Sequence, residues 1–596
     1  MLQADTGASV GSGMSRFRVL ACVLATVLSV SAVAFVANGV ARAQGETVFV
    51  VSQQSDPGIL NNILGDTLGS FFVHHNVWSE LVHLSYDQQS IQGQLAESWS
   101  ISPDGLNYTF HLRPGVKWHD GVPFTADDVK FTMDAAVALP TWAIAYLQAV
   151  NYTVVDDPLN ISFVLKARDA GWLTLFAFGS DYGLNIMPKH LYEGTDITTN
   201  PHNQAPVGTG PFMFVSHIPS QSITLAANPN YWGGKPPVDR VVIKIIPSSA
   251  TALQELQAGT VHYVVTFDNP VLFSQMPPLA QVPNIQISHP TGGVLTWFLY
   301  NTNSTALGNA TLRQAIGYAI NRTELAEKAY YGYALGMSGF YLAGKWYNPA
   351  AELSYNPQKA IQLLDQLGYT PNPQGIRLTL EFAFHPLFGM DIEAQVVKEQ
   401  LAAVGIDLTL WSGDYPTWFD KVHVQGNYQL ALRASQIGPD PDLLWQWLDP
   451  LHEGESGSTY FNNSEMTNLF TQARQLTDFN QRKGLYDQVQ QILHDNVPVL
   501  PLTNIEDVNL WRSDIVQNVG PQLNTDRWDI AGASLVSSTA PAPLSIYAIG
   551  AIAAAVILVV AAVVVWRIRA GRKAKMTREE LEQDREPETP GGPPKP

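Results

Sequence analysis

"LAESWSISPDGLNYTFHLRPGVKWHDGVPFTADDVKF", Leu95 to Phe131, packs three structural instructions into one stretch. Two β-rich runs flank Ser102-Pro103-Asp104-Gly105, a turn with proline and glycine placed to reverse the chain. Thr125 then stands where an N-cap belongs, and Asp128 three residues on completes a capping box. Val129, Met133, Ala136 and Val137 follow at helical spacing and predict one buried face. A hairpin followed directly by an amphipathic helix belongs to a mixed α/β protein.

The flanking sequence extends this reading. "ETVFVV" (46–51) reads as a strand, "LGSFFVHHNVWSELV" (68–82) has helical spacing, and "NYTVVDDPLNISFVLKA" (151–167) is a second hairpin. Further on, strand and helix alternate. "DRVVIKIIP" is followed by "SSATALQELQAG" and "VHYVVTF", and "GIRLTLEFAF" by "DIEAQVVKEQLAAVG" and "IDLTLWS". Helices stopped at Gly259, Gly368 and Gly405 fit the glycine C-cap. This β-α-β order predicts α/β lobes whose sheets are mostly covered by helices. The amphipathic stretches "RQAIGYAINRTELAEKAY" and "NQRKGLYDQVQQILHDN" are expected to pack against them.

Both ends speak of a membrane. Met14 to Arg18 opens a basic segment, Val19 to Val36 is apolar, and Ala41 and Ala43 supply a cleavage site before Gln44, the pattern of a signal peptide. Residues 1–13 add nothing to it, so Met14 is a candidate start. From Ile546 to Trp566 no charge interrupts 21 residues. As a helix these span about 31 Å, enough to cross a bilayer core. Arg567, Arg569, Arg572, Lys573 and Lys575 follow and place the tail in the cytoplasm. "SSTAPAPLS" (537–545) reads as an extended linker.

Charge and cysteine content exclude several functions. The formal net charge is −18, and residues 44–566 hold 23 basic against 45 acidic groups. Such a body repels nucleic acid. The one cysteine, Cys22, lies in the signal, so the body has neither disulfides nor thiol chemistry. About five hundred residues exceed one core and imply two or three lobes. Seven N-x-S/T sequons (Asn107, Asn151, Asn160, Asn303, Asn309, Asn321, Asn462) are compatible with surface glycosylation.

No nucleophile elbow, zinc-protease or phosphate-loop motif is present in the sequence. His74 and His75 are adjacent, and helical neighbours diverge by about 100°, so they do not share an ion. Asp127 and Asp128 are accounted for by helix capping. Asp440 and Asp442 in "GPDPD" sit in a proline-stiffened loop and suit a turn or a binding role. Trp297, Trp346, Trp411, Trp418, Trp445 and Trp447 supply flat faces for packing or for stacking on a ligand.

From Leu95 to Phe131 the sequence resembles the extracellular solute-binding proteins of family 5, the dipeptide- and oligopeptide-binding components of ABC importers. The resemblance continues in order through "VGTGPFMFV", "NPNYWGGKPPVDRVVIKII", "LQAGTVHY", "NTNSTALGNATLRQAIGYAINR", "NPQKAIQLLDQLGY", "EQLAAVGIDLTL" and "DFNQRKGLYDQVQQILHDNVPVLPL". It implies a periplasmic-binding-protein type II fold: two α/β lobes on a hinge, an extra small α+β domain, and here one C-terminal transmembrane helix. The expected division puts 1–43 in the signal, 44–75, 205–290 and 500–536 in the first lobe, and 76–204 in the small domain. Residues 291–499 form the second lobe, 537–545 the linker, 546–566 the spanning helix and 567–596 the tail. The layout of the ends is similar to that of C-terminally anchored archaeal members, with the large domain outside. Expected partners are a peptide ligand and the permease subunits of an ABC importer. No nucleic acid, metal or cofactor is expected, and the chain is expected to be a monomer.

Placed on the family's cleft, the resemblance implies Trp297, Phe384, His385, Ile437, Asp440 and Trp445 as ligand-binding residues. Trp297 and Trp445 would stack, His385 would shape the site or hydrogen-bond, Ile437 would form an apolar wall, and Asp440 would fix its loop or accept a ligand donor. Peptide-binding relatives carry an aspartate for the ligand amine where Ile437 stands here, and a buried ammonium needs a charged partner. Dipeptide-binding relatives use an arginine near "FAFHP", where this chain has Phe384 and His385, with Arg377 and Arg433 further along the strands. The departures weigh against a zwitterionic dipeptide and leave a cleft suited to a longer peptide held by its backbone and equally to a neutral oligosaccharide. An oligosaccharide is the alternative cargo, and a surface hydrolase using Asp440 or Asp442 the alternative class.

Overall fold

Val48–Gln53 alternates outward and inward side chains, with Phe49 and Val51 fully buried. It is the centre of the first sheet, running parallel to Arg240–Ile245 on one side and to Tyr263–Val264 on the other. The computed structural model describes residues 46–536, apart from 62, 65–67, 86–89, 140–146, 180–183, 266–272, 289–293, 342–344, 436–439, 443–447, 449–458, 507 and 520–529. The expected signal, linker, spanning helix and tail lie outside these residues. Among the described residues no helix is long and apolar enough to cross a membrane.

Seven strands make the first sheet, in the order 285–288, 509–512, 263–264, 48–53, 240–245, 222–227 and 212–218. A four-stranded antiparallel sheet (96–101, 107–112, 160–165, 150–157) stands beside it. The hairpin turn forms as its residues require. Gly105 takes φ +70°, and the Asp104 carboxylate accepts from Ser102 Oγ at 2.6 Å and from Leu106 N–H at 3.0 Å. One hydrophobic core joins the two sheets, with Phe110, Phe163, Trp172 and Phe176 packed beside Phe49, Val51 and Ile243. The helix Ala126–Ala138 covers the four-stranded sheet and buries Val129, Met133 and Ala136. Val137, expected on the same face, is 56% exposed at the helix end.

Asp128 does more than cap. Its carboxylate accepts from Thr125 N–H at 2.9 Å and from Lys189 N–H at 2.9 Å, tying the helix to the 189–192 turn.

The second lobe is built on six strands, in the order 334–336, 499–505, 294–300, 430–435, 378–384 and 406–412. Leu378–Phe384 runs parallel to both its neighbours, whereas Val294–Tyr300 is antiparallel to both of its own. One face packs Phe298, Leu380, Phe382, Leu408 and Leu432 under the helices 310–319 and 390–402. The other packs Leu295, Trp297, Ala383 and Ala431 against Trp418, Phe470 and Tyr486. The strand Val499–Ile505 belongs to this sheet, so the chain returns to the first lobe after Ile505, later than the expected residue 500.

Two stretches quoted above meet in the fold. His119, from "KWHDG", lies against Gly208 and Gly210, from "VGTG". Its Nδ1 accepts from Gly208 N–H at 3.1 Å, so the proton sits on Nε2, which donates to the Gly210 carbonyl at 3.0 Å. Burial pushes this imidazole down to about 4, against the pull of the Gly210 bond, and it is neutral at pH 7. Gly210 N–H donates in turn to Val77 O at 3.0 Å, at the end of the helix Leu68–Val77.

The helix, expected to continue past Trp78, stops where this backbone approaches it. A Cβ on Gly208 would lie 1.8 Å from Val77 O, with no flexible atom to yield. Gly208→Ala is therefore expected to cost about 3 kcal/mol through overpacking, read as a lowered urea midpoint. An unchanged midpoint would contradict this contact.

Candidate functional site

Parallel strands gather their carboxyl ends on one edge of a sheet, where α/β folds hold ligands. In the second lobe 378–384 and 406–412 end level at Phe384 and Ser412, and the parallel strand 430–435, paired with the first at Phe382–Leu430 and Ala383–Ala431, runs on past them at this edge. His385 follows the first of them directly. It is buried, edge-on to Trp418 with ring centroids 4.9 Å apart, and to Tyr415 at 5.2 Å. Trp418 comes from the short helix Tyr415–Phe419, started by Asp414, whose carboxylate accepts from Thr417 N–H at 3.0 Å. Burial, then nearby Arg433, pushes His385 down to about 4, so it is neutral at pH 7.

Arg433 is register partner to Trp297 across the adjacent strands, and its guanidinium lies 5.9 Å from the centre of the indole. Its Nη1 donates to His423 Nε2 at 2.8 Å, which leaves that nitrogen without a proton. His423 meets Trp418 edge-on in turn, with ring centroids 5.2 Å apart. Trp297, Arg433, His423, Trp418, His385 and Tyr415 thus form one connected group. Within it, His385 Nδ1 and Trp418 Nε1 are buried and, among the described residues, have no hydrogen-bond partner, and neither has the Tyr341 hydroxyl on the same side of the sheet. Buried polar atoms are nearly always paired, so these three mark where further hydrogen bonds can form.

Trp297 and His385 share this group. Phe384 does not. Strand side chains alternate between faces, and Phe384 points to the opposite side, where it packs beside Phe382 at 6.1 Å in the aliphatic core. Ile437 and Trp445 lie outside the described residues.

Asp440 has another partner. Arg482 grips both its oxygens, Nη1 to Oδ2 at 2.5 Å and Nη2 to Oδ1 at 2.8 Å. Asp442, fully buried, accepts from Arg482 Nη2 at 3.0 Å, Tyr486 Oη at 2.6 Å and Arg474 Nε at 3.3 Å. Of the two roles expected for Asp440, fixing the loop is the one its bonds serve. Asp442 is held above the usual carboxylate range by burial and then by Asp440, with the arginines opposing.

The ionic cluster also reaches the smaller sheet's side of the molecule. A Cβ on Gly171 would lie 2.5 Å from Asp442 Oδ2, and Ala170 N–H donates to Arg474 O at 2.8 Å. Among the described residues no group of three or more acidic, histidine or cysteine side chains is placed to hold a metal ion.

Sequence reasoning missed His423, Tyr341 and Arg482. Arg482 sits on an amphipathic helix, where a lone arginine reads as a solvated one, and its partners lie forty residues away.

The family model for bacterial extracellular solute-binding proteins, family 5 (Middle), matches residues 90–454. The heme-binding protein A of Haemophilus influenzae is 30% identical over 462 residues, covering 72% of this chain and 81% of that protein. The dipeptide-binding protein of Escherichia coli is 26% identical, with 77% and 89% covered. Among solved structures, the periplasmic binding protein DppA of Helicobacter pylori, in complex with the peptide STSA, superposes with a TM-score of 0.67 at 25% identity. That match covers 83% of this chain and 99% of the other.

The ionic cluster supplies a stability test. Arg482→Met would leave Asp440 and Asp442 buried without their main cation, at a cost of about 3–5 kcal/mol at pH 7. A carboxyl whose folded pKa is raised binds protons better folded than unfolded, so it favours the fold at low pH and loses that contribution as pH rises. Removing Arg482 enlarges the rise at Asp442. The deficit against wild type is therefore expected to be smaller at pH 5 than at pH 7 in urea titrations. A deficit below 1 kcal/mol, or one that grows on acidification, would contradict the cluster's role.

Proposed function

This chain belongs to the family 5 extracellular solute-binding proteins, and on that premise we propose that it captures oligopeptides between its lobes for an ABC importer. The observation that carries the proposal is the near full-length similarity to the Escherichia coli dipeptide-binding protein, supported by the likeness to a peptide-bound structure. The first and second sheets, with the four-stranded sheet on the first, would act as two lobes on a hinge. Closure would turn binding into a shape the permease reads. The 546–566 helix would anchor the body outside the cell and keep it close to its transporter, raising the local concentration.

The cleft wall on the second lobe would be the group around Trp297, Arg433, Trp418 and His385, with Ile437 and Trp445 adjoining. Neutral imidazole, indole N–H and phenol suit the amide groups of a peptide backbone. Aromatic faces accept its side chains without demanding one sequence. That fits a ligand recognised by its backbone, for which no aspartate at position 437 is needed.

Titration calorimetry with a series of two- to nine-residue peptides tests this, with maltooligosaccharides and hemin as competing probes. Peptide heats are expected, and Trp418→Phe, which removes the indole donor, is expected to weaken binding roughly 3- to 10-fold. Saturable binding of sugar or hemin with silence from every peptide would overturn the peptide reading. Full peptide affinity in Trp418→Phe would remove this group from the site.

A further inference from the structure

Thr296 is the third residue of the strand Val294–Tyr300, and Thr503 is third from the end of Val499–Ile505. They are register partners, and the pairing shifts immediately beyond them, between Thr296 and Trp297. The chain passes from the seven-stranded sheet to the six-stranded one between Ser288 and Val294, and returns between Ile505 and Asn509. Both passages therefore start from the same buried pair of strands.

Glu393, fully buried in the helix Met390–Ala402, binds that pair from below. Its Oε1 accepts from Thr296 Oγ1 at 2.7 Å and from Thr503 Oγ1 at 3.3 Å. Its Oε2 accepts from Tyr330 Oη at 2.8 Å. The Tyr330 ring stands edge-on to Phe273, 5.2 Å away, and Phe273 also packs on the core beside the first sheet. One oxygen thus holds the crossing strands, and the other holds a contact between the lobes.

Among the described residues no cation compensates this carboxyl. Burial acts on it first and raises its pKa, and the hydroxyls of Thr296, Tyr330 and Thr503, which donate to the charged form, oppose that rise without cancelling it. On the helix 322–330, Arg322 is directed to the carbonyls of Pro501 and Leu353. On the helix 310–319, Arg313 is directed to those of Asn496 and Val497. Asp391, on Glu393's own helix, and Glu506, at the return crossing, act on Tyr330 and Tyr333. Of the strands under the helix, 378–384 carries Glu381, paired with Lys421, and 406–412 carries Asp407.

We propose that Glu393 is a proton-responsive element of the hinge: protonated, it holds the two crossing strands and the Tyr330–Phe273 contact together, and ionised, it favours their opening. Burial pushes the carboxyl up to about 7, so the change falls near neutrality. The sign follows from linkage. A raised folded pKa means the buried site prefers the neutral acid, so any motion that brings water to it is favoured by ionisation. Stability contributed below the unfolded pKa of about 4.5 is lost as pH rises through about 7. The proposal needs the two sheets to move against each other and does not depend on which ligand is carried.

Hydrogen exchange on the full chain in detergent, without ligand, tests it. After correction for intrinsic rates, amides of 294–300 and 499–505 are expected to lose protection by about 10-fold or more between pD 5.5 and 8.5. Amides of 107–112 and 160–165 in the four-stranded sheet, remote from Glu393, are expected to stay level. In Glu393→Gln, which is neutral at every pH, the dependence is expected to vanish. Equal responses of the two sets in wild type, or an unchanged dependence in Glu393→Gln, would overturn the proposal. The wild-type comparison stands alone if the variant does not fold.

Discussion

The antiparallel pairing of Val294–Tyr300 with Val499–Ile505 is the constraint on which the rest of the molecule depends. These strands lie side by side in the second sheet, although two hundred residues separate them. Because the chain enters the sheet just before one and leaves it just after the other, the whole segment between them folds as an insertion. The first sheet is consequently assembled from chain on both sides of that insertion, with 509–512 slotted between 285–288 and 263–264. A two-lobed body joined by a double crossing is the mechanical basis for trapping a ligand.

Different forces hold the parts. The first sheet and the four-stranded sheet share one apolar core and a backbone junction at His119, Gly208 and Gly210, where room for a side chain is lacking. Arg482, Asp440 and Asp442 form a buried ion cluster in the second lobe, which meets the segment after the second hairpin at Gly171 and through the Ala170–Arg474 backbone bond. Burying charges gains little over a well-packed apolar contact, yet it fixes geometry, since an arginine fork matches two carboxylates in few orientations. The aromatic group around His385 has a different character: rings held edge to face, with His385 Nδ1 and Trp418 Nε1 buried and without a hydrogen-bond partner among the described residues.

Much of this was legible in the sequence because it is local. The Ser102–Gly105 turn, the Thr125–Asp128 cap and the glycine stop at Gly259 are set by residues within a few positions of one another, and each formed. Strand and helix alternation gave the α/β lobes. Phe384 shows a limit of a different kind: the two-residue period of a strand separates it from His385, but only once the strand's end is fixed. Asp440 shows the other limit. A carboxylate in a rigid loop reads equally as a ligand acceptor or an anchor, and the deciding partner, Arg482, is set by tertiary packing. Val137 stands in the last turn of its helix and is exposed there, so its helical spacing did not bring it to the buried face.

Native mass spectrometry of the purified chain tests the central claim most directly, because a closed cleft retains ligand through gentle purification. The account predicts a family of added masses that disappears on unfolding and whose fragments are peptides of several residues. Added masses spaced by hexose units, or a bound porphyrin, would contradict it.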